Sequence, residues 1–288
     1  MSHPPFPIPV VAAVGPGSQP EDETLDYIRM PSGMETYRPP SLPEPEEIGG
    51  HQGALRVLRQ TLHALSLAAQ GQKVEPIVLD DLGDVDRRLL NQVLGEGEVS
   101  AQVLPEAGMA SVQAQESVFA GVWRVLETLA DGRRLDRIEV GDVPAALRRA
   151  AQEDGAGAEP TLPPAPPGVL NAHAVLSELR DHRATWREGE LPQVVNLTLL
   201  PMTPEDIAYM DHGLGTGRVL VLSRGYGNCR ITDTRVPNTW RIVYYNSQDA
   251  VILNTVEVCA MPEVACAALE DLNDSRDRLA DVLAWVER

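Results

Sequence analysis

Three thiols, one histidine and two glycine-bearing turns are the residues of this chain whose types and spacing offer chemistry. Cys229, Cys259 and Cys266, with His212, form the set that could bind iron or zinc. Metal sites use paired spacings such as C-x-x-C, and no two of these thiols are so placed; buried free cysteine is their commoner fate. The turn Leu94-Gly95-Glu96-Gly97-Glu98-Val99 and its partner Leu214-Gly215-Thr216-Gly217-Arg218-Val219 invite a phosphate-loop reading. That chemistry needs a strand, then glycines, then a helix whose N-terminal amides face the anion. Here a helix precedes the glycines and a strand follows. The first glycine is therefore expected to cap the helix and the second to turn the chain into the strand. Glu96 and Glu98 become candidate contacts for a partner. Arg224-Gly225-Tyr226-Gly227-Asn228 reads as a hairpin turn, with Tyr226, Asn228 and Arg230 as further candidate contacts. No G-x-S-x-G, H-E-x-x-H, Walker or dinucleotide-binding pattern occurs, and no motif places a nucleophile beside a base. The expectation is a binding protein, not an enzyme, with no catalytic residue, no metal and no cofactor.

The elements that must hold these turns come twice. Leu94-Gly95 and Leu214-Gly215 stand at an offset of 120 residues, Trp123-Arg124-Val125 and Trp240-Arg241-Ile242 at 117, and Glu139-Val140 and Glu257-Val258 at 118. Ile77-Val78-Leu79 and Leu197-Thr198-Leu199 are again 120 apart. Ordered anchors at nearly one offset mark a domain duplication, since solenoid repeats have periods of only about 20–50 residues. Each copy is expected to open with an amphipathic helix. Leu55, Leu58, Leu62, Leu65 and Ala69 recur at three- and four-residue intervals, and residues 169–186 hold the equivalent place. A strand follows at 75–79 or 194–199, then a short helix from Asp84 or from Thr203, the latter with Thr203 as N-cap and Pro204 in the first turn. Four strands complete each copy, at 98–104, 110–117, 118–126 and 135–140, and at 218–223, 228–234, 239–245 and 252–258. A helix from about Asn273 closes the chain. The fold class is α+β: two homologous tandem domains, each packing helices on a mixed β-sheet.

Charge and proline content fix the outer limits. The 288 residues hold 42 Asp and Glu against 24 Lys and Arg, a formal charge of −18, which excludes a nucleic-acid binder working by bulk charge. Eleven prolines fall between Pro4 and Pro45 among acidic residues, so residues 1–48 form an acidic arm that cannot bury enough apolar surface to order itself. Met34 and Tyr37, three apart on that arm, are candidate partner contacts. Pro160, Pro163, Pro164, Pro166 and Pro167 follow an acidic Gly-rich stretch, placing a linker at 151–168 between domains at 49–150 and 169–288. No apolar run approaches the roughly 20 residues of a membrane helix, and the start has no signal-peptide pattern, so a cytoplasmic protein is expected.

The assembled motifs resemble one family, the HupH/HyaF hydrogenase expression/formation proteins. The carriers are Gly15-Pro16-Gly17-Ser18-Gln19-Pro20, Met30-Pro31-Ser32-Gly33-Met34, Leu94-Gly95-Glu96-Gly97-Glu98-Val99 and the run from Glu116 through Trp123 to Val125. In the second copy they are Gly225-Tyr226-Gly227, Trp240, and the stretch from Pro262-Glu263 to Glu270-Asp271-Leu272. The resemblance implies an accessory chaperone in [NiFe]-hydrogenase maturation. Its partner would be the iron–sulfur-bearing small subunit precursor before twin-arginine export, alongside a rubredoxin-like protein. It brings no catalytic residues to carry over. The alternative reading is an iron or iron–sulfur carrier using Cys229, Cys259 and Cys266.

Overall fold

The computed structural model describes residues 51–106, 109–157, 160–224 and 228–286. The expected arm, with Met34 and Tyr37, lies outside these residues, as does Tyr226. In chain order the first elements are α1 (Gln52–Ala68), β1 (Ile77–Val78), α2 (Asp84–Leu94), β2 (Val99–Val103), β3 (Ser111–Glu116), β4 (Val122–Thr128), β5 (Arg134–Val140) and α3 (Ala145–Gly155). There follow α4 (Ala172–Thr185), β6 (Gln193–Asn196), a 3-10 turn (Leu197–Leu199), α5 (Pro204–Leu214), β7 (Val219–Ser223), β8 (Asn228–Asp233), β9 (Thr239–Tyr245) and β10 (Val251–Val258). A second 3-10 turn (Glu263–Ala265) leads into α6 (Leu269–Val286). The fold is α+β, as expected. The sheet pairings are antiparallel, however, and not mixed. Most neighbouring strands are joined by turns of a few residues, and a parallel pair needs a crossover of a dozen or more. Helix α3 also runs on to Gly155, into the stretch expected to be linker. Among the described residues, no helix is long and apolar enough to cross a membrane.

The chain forms two compact units, and neither is one contiguous stretch. The N-terminal unit contains the described residues of 51–150, 218–224 and 261–286; the second contains those of 151–217 and 228–260. Strand order in the N-terminal unit is β1-β5-β4-β3-β2-β7, so a strand from the later half of the sequence borders it, paired from Val99↔Ser223 to Val103↔Val219. Its core is built from helical stripes. Leu55, Leu58 and Leu65 of α1 and Leu89, Leu90, Val93 and Leu94 of α2 meet Phe119 of the turn after β3 and Val122 and Ile138 of the sheet. Helix α6 completes this core with Leu272, Leu279 and Leu283. Burying each such leucine contributes about 1.5–3 kcal/mol.

The second unit arranges its strands as β8-β9-β10-β6. Its helices α4 and α5 are tied by one buried carboxylate. Asp206 Oδ1 accepts the backbone N–H groups of Leu170, Asn171 and Ala172 at 2.7, 2.7 and 2.9 Å, and Oδ2 accepts that of Thr203 at 3.0 Å. Thr203 Oγ1 in turn accepts the Asp206 N–H at 3.0 Å, a capping box with Pro204 in the first turn. Burial pushes the Asp206 carboxyl up, but the four amides outweigh it and hold it well below the usual carboxylate range. One acidic side chain thus satisfies the orphan donors at two helix starts.

Each unit is also anchored by a buried tryptophan. Trp123 and Trp240 are each 1% exposed, and their indole N–H groups donate to Gly141 O and Cys259 O, both at 3.2 Å. The two residues occupy the positions matched in the sequence, on β4 and on β9.

Candidate functional site

Helices α2 and α5 each stop at a glycine with positive φ, 56° at Gly95 and 65° at Gly215. Their N–H groups bond back to Asn91 O and Asp211 O, both at 2.9 Å, so the first glycines are the expected caps. The second glycines depart from expectation. A Cβ on Gly97 would lie 2.3 Å from Ser117 O, and one on Gly217 would lie 2.2 Å from the Asp233 carboxylate. They are there because the chain passes against the end of a neighbouring strand, not to supply a turn. Gly97 N–H donates to Glu116 O at 2.7 Å, and Gly217 N–H to Asp233 O at 3.1 Å.

Behind the first of these turns sits Glu116, buried at the end of β3, whose Oε1 accepts the Gly121 N–H at 2.9 Å. Burial pushes its carboxyl up to about 7; the Gly121 bond opposes this, and the charges of Asp271 and Glu98 add to it. The described bond of that carboxyl is to a backbone amide. Glu96 and Glu98 are exposed, as a contact role requires. Asn228 and Arg230 are exposed on β8 of the second unit, paired with Tyr245 and Val243 of β9. The candidate contacts are therefore divided between the units: Glu96 and Glu98 in one, Asn228 and Arg230 in the other.

The thiols are not assembled into a site. Cys229 and Cys259 are buried in the second unit, and Cys266 belongs to the N-terminal unit. Cys266 Sγ donates to Pro262 O at 3.5 Å. Burial pushes that thiol up to about 11, with the Asp142 charge adding and Arg148 opposing, so it stays protonated at neutral pH. Among the described residues, no three His, Cys, Asp or Glu side chains are grouped to hold a metal ion.

A charged cleft of about 780 Å³ opens in the N-terminal unit over β4 and β5, beside the start of α3 and the segment after α1. Sequence reasoning missed it. Its wall is a ladder in which Arg137 donates to Glu127 Oε2 at 2.7 Å and to Glu139 Oε1 at 2.8 Å, all three side chains being 12–15% exposed. Burial pulls the guanidinium down, and the two carboxylates outweigh it and raise its pKa. Glu139 Oε2 also accepts the Ala145 N–H at 2.9 Å, capping the start of α3. Arg148 pairs with Asp142 at the rim. These charges answer one another, so this side of the cleft is a shaped polar wall. Opposite charges at alternating positions of two strands joined by a hairpin were the signal that could have revealed it.

Comparison with known proteins decides the family. Residues 52–163, and again residues 169–286, match the HupH hydrogenase expression protein, C-terminal conserved region. The chain belongs to the HupH family. It is 54% identical over 281 residues to the hydrogenase expression/formation protein HoxQ of Cupriavidus necator, covering 98% of each chain. It is 47% identical over 270 residues to the hydrogenase expression/formation protein HupH of Rhodobacter capsulatus, covering 93% of this chain and 94% of that one. With the hydrogenase-1 operon protein HyaF of Escherichia coli it shares 31% identity over 279 residues, covering 95% of both. The two HupH matches fall on the stretches that carry the repeated glycine turns and the paired tryptophans. The names of these three relatives describe hydrogenase expression, formation or an operon, and none of them names a reaction.

Proposed function

We propose that this protein is an accessory factor of hydrogenase maturation, a chaperone that binds the iron–sulfur-bearing small subunit precursor of a [NiFe]-hydrogenase in the cytoplasm before export. The observation that carries this reading is likeness along the whole chain, 98% of it at 54% identity, to a protein named for hydrogenase expression and formation. The physical chemistry supports a binding role. A net charge of −18 steers association with a basic segment such as a twin-arginine leader. A protonated, half-buried Cys266 and two buried thiols favour packing over metal transfer. Met34, Tyr37, Glu96, Glu98, Tyr226, Asn228 and Arg230 are the proposed contacts, with a rubredoxin-like protein as a second partner.

The same reading includes a tandem duplication, with repeats at 49–150 and 169–288, a joining segment at 151–168 and an acidic arm at 1–48. The double family match and the matched glycine and tryptophan bonds support it. The test of function is an anaerobic pull-down from cells that make the hydrogenase, with bound proteins and metals identified. Recovery of the small subunit precursor, and its loss when Glu96, Glu98, Asn228 and Arg230 are replaced together by alanine, is the expected result. Stoichiometric iron on the protein without any hydrogenase subunit would overturn the chaperone reading in favour of a carrier.

A further inference from the structure

Among the described residues, the sheet of the second unit ends on β6, which pairs with β10 on one side only. An edge strand presents a row of backbone N–H and C=O groups that template a further strand unless charge, proline or a cover prevents it. The border around this edge is apolar and bare. Leu191 is 78% exposed, Leu199 79%, Ile252 57% and Val194 48%. The 3-10 turn after β6 continues alongside β10, Thr198 Oγ1 accepting the Asn254 N–H at 2.8 Å, which sets the turn that carries Leu199 beside the part of β10 that carries Ile252. In a chain of net charge −18, residues 191–204 and 250–256 contain no Asp, Glu, Lys or Arg. β6 itself carries no charged side chain, although Glu257 of β10 is paired beside Val194 and Pro192 precedes the strand.

The chain that precedes the described residues supplies a segment of matching chemistry. Fifty residues come before His51, and their acidic side chains begin only at Glu21; residues 1–20 carry no Asp, Glu, Lys or Arg. Within that uncharged stretch, Val10-Val11-Ala12-Ala13-Val14 is an apolar, β-branched run bounded by Pro9 and by Gly15-Pro16-Gly17. Such a run between turn residues has the composition of a strand, and prolines at its ends are tolerated at a sheet edge. Five residues suit a partner strand of four. Between Val14 and His51 the chain can extend over roughly 120 Å, so its length sets no bar.

We propose that residues 10–14 add to the open edge of β6 as a further strand, with Val10 and Val14 on one face of the added strand and Val11 on the other, beside the exposed Leu191, Val194, Leu199 and Ile252. An uncharged segment meets an uncharged strand. The inference stands apart from the hydrogenase reading and tests apart from it.

Hydrogen exchange at residues 193–196 reads the proposal directly, because alternate amides of β6 face away from β10. We compare the full chain, a chain lacking residues 2–20, and full-length Val11→Asp. The outward β6 amides exchange about 10-fold or more faster in the truncated chain and in Val11→Asp than in the full chain, as expected when a paired strand is lost. A synthetic peptide of residues 5–16, added to the truncated chain, slows them again. Equal exchange in all three proteins overturns the proposal. So does edge protection that persists without residues 2–20 and rises with protein concentration, since that assigns the edge to a second copy. The Val11→Asp comparison decides the matter if the truncated chain fails to fold.

Discussion

Severing the chain among the prolines at 160–167 leaves an N-terminal fragment that contains α1, α2 and β1–β5 but neither α6 nor β7. The sequence repeat invites the view that such a fragment folds alone. The contacts give the opposite forecast. Leu272, Leu279 and Leu283 of α6 are 6%, 0% and 4% exposed against the core of α1 and α2. At about 1.5–3 kcal/mol for each buried leucine, their loss removes about 5–9 kcal/mol. A domain's whole stability is about 5–15 kcal/mol, and the ladder to β7 is lost as well. Fragment 1–157 is therefore expected to show no cooperative urea transition by circular dichroism. In the intact protein, Leu279→Ala is expected to cost about 3–5 kcal/mol, the usual range for a fully buried leucine. A fragment that unfolds cooperatively with helix and sheet signals in proportion to its length would refute the reasoning and make α6 peripheral.

Trp123→Ala and Trp240→Ala should each destabilise by about 3–5 kcal/mol, read from denaturant midpoints; a variant that keeps its stability but loses its partner would mark that tryptophan as a binding anchor. Glu116 has a carboxyl raised to about 7 in the folded protein, so the folded state holds this proton more tightly than the unfolded chain. Its contribution is complete below about pH 4.5 and is lost as pH rises through about 7, a change of about 3 kcal/mol. Glu116→Gln should flatten that part of the profile, gaining on the parent between pH 4.5 and 8; an unchanged difference between the two proteins at both pH values would show that the carboxyl does not titrate this way. Replacing Cys229, Cys259 and Cys266 together by alanine should leave hydrogenase maturation largely intact in a folded protein, measured by complementation of a deletion strain. Lost maturation together with lost bound iron would contradict the packing role.

The sequence disclosed what depends on neighbours along the chain. The capping of α5 by Thr203, the stops at Gly95 and Gly215, and the strand Thr239–Tyr245 are local matters of side-chain bonding, backbone freedom and period-two alternation. What it concealed is partnership. A stripe of leucines on α6 states that the helix has an apolar face, and nothing in that stripe names α1, some 200 residues earlier, as its counterpart. The joining of α4 to α5 by Asp206 stayed hidden for the same reason, since the amides at 170–172 lie about 35 residues upstream in sequence. The Glu127–Arg137–Glu139 wall stayed hidden because charge on an acidic chain reads first as a solvated surface, and its burial follows from the register of β4 on β5.

That α6 is made long after the α1 and α2 leucines it covers gives the protein a built-in timetable. A ribosome adds about 5–20 residues each second, so about 7–27 s separate emergence of Ala150 from synthesis of the end of α6. Throughout that interval the leucines of α1 and α2 wait without their cover, open to holdase chaperones or to aggregation. Only a chain translated through α6 can close its first core, so a product cut short before it by a nonsense codon or by stalled translation advertises its own incompleteness to the proteases of the cell.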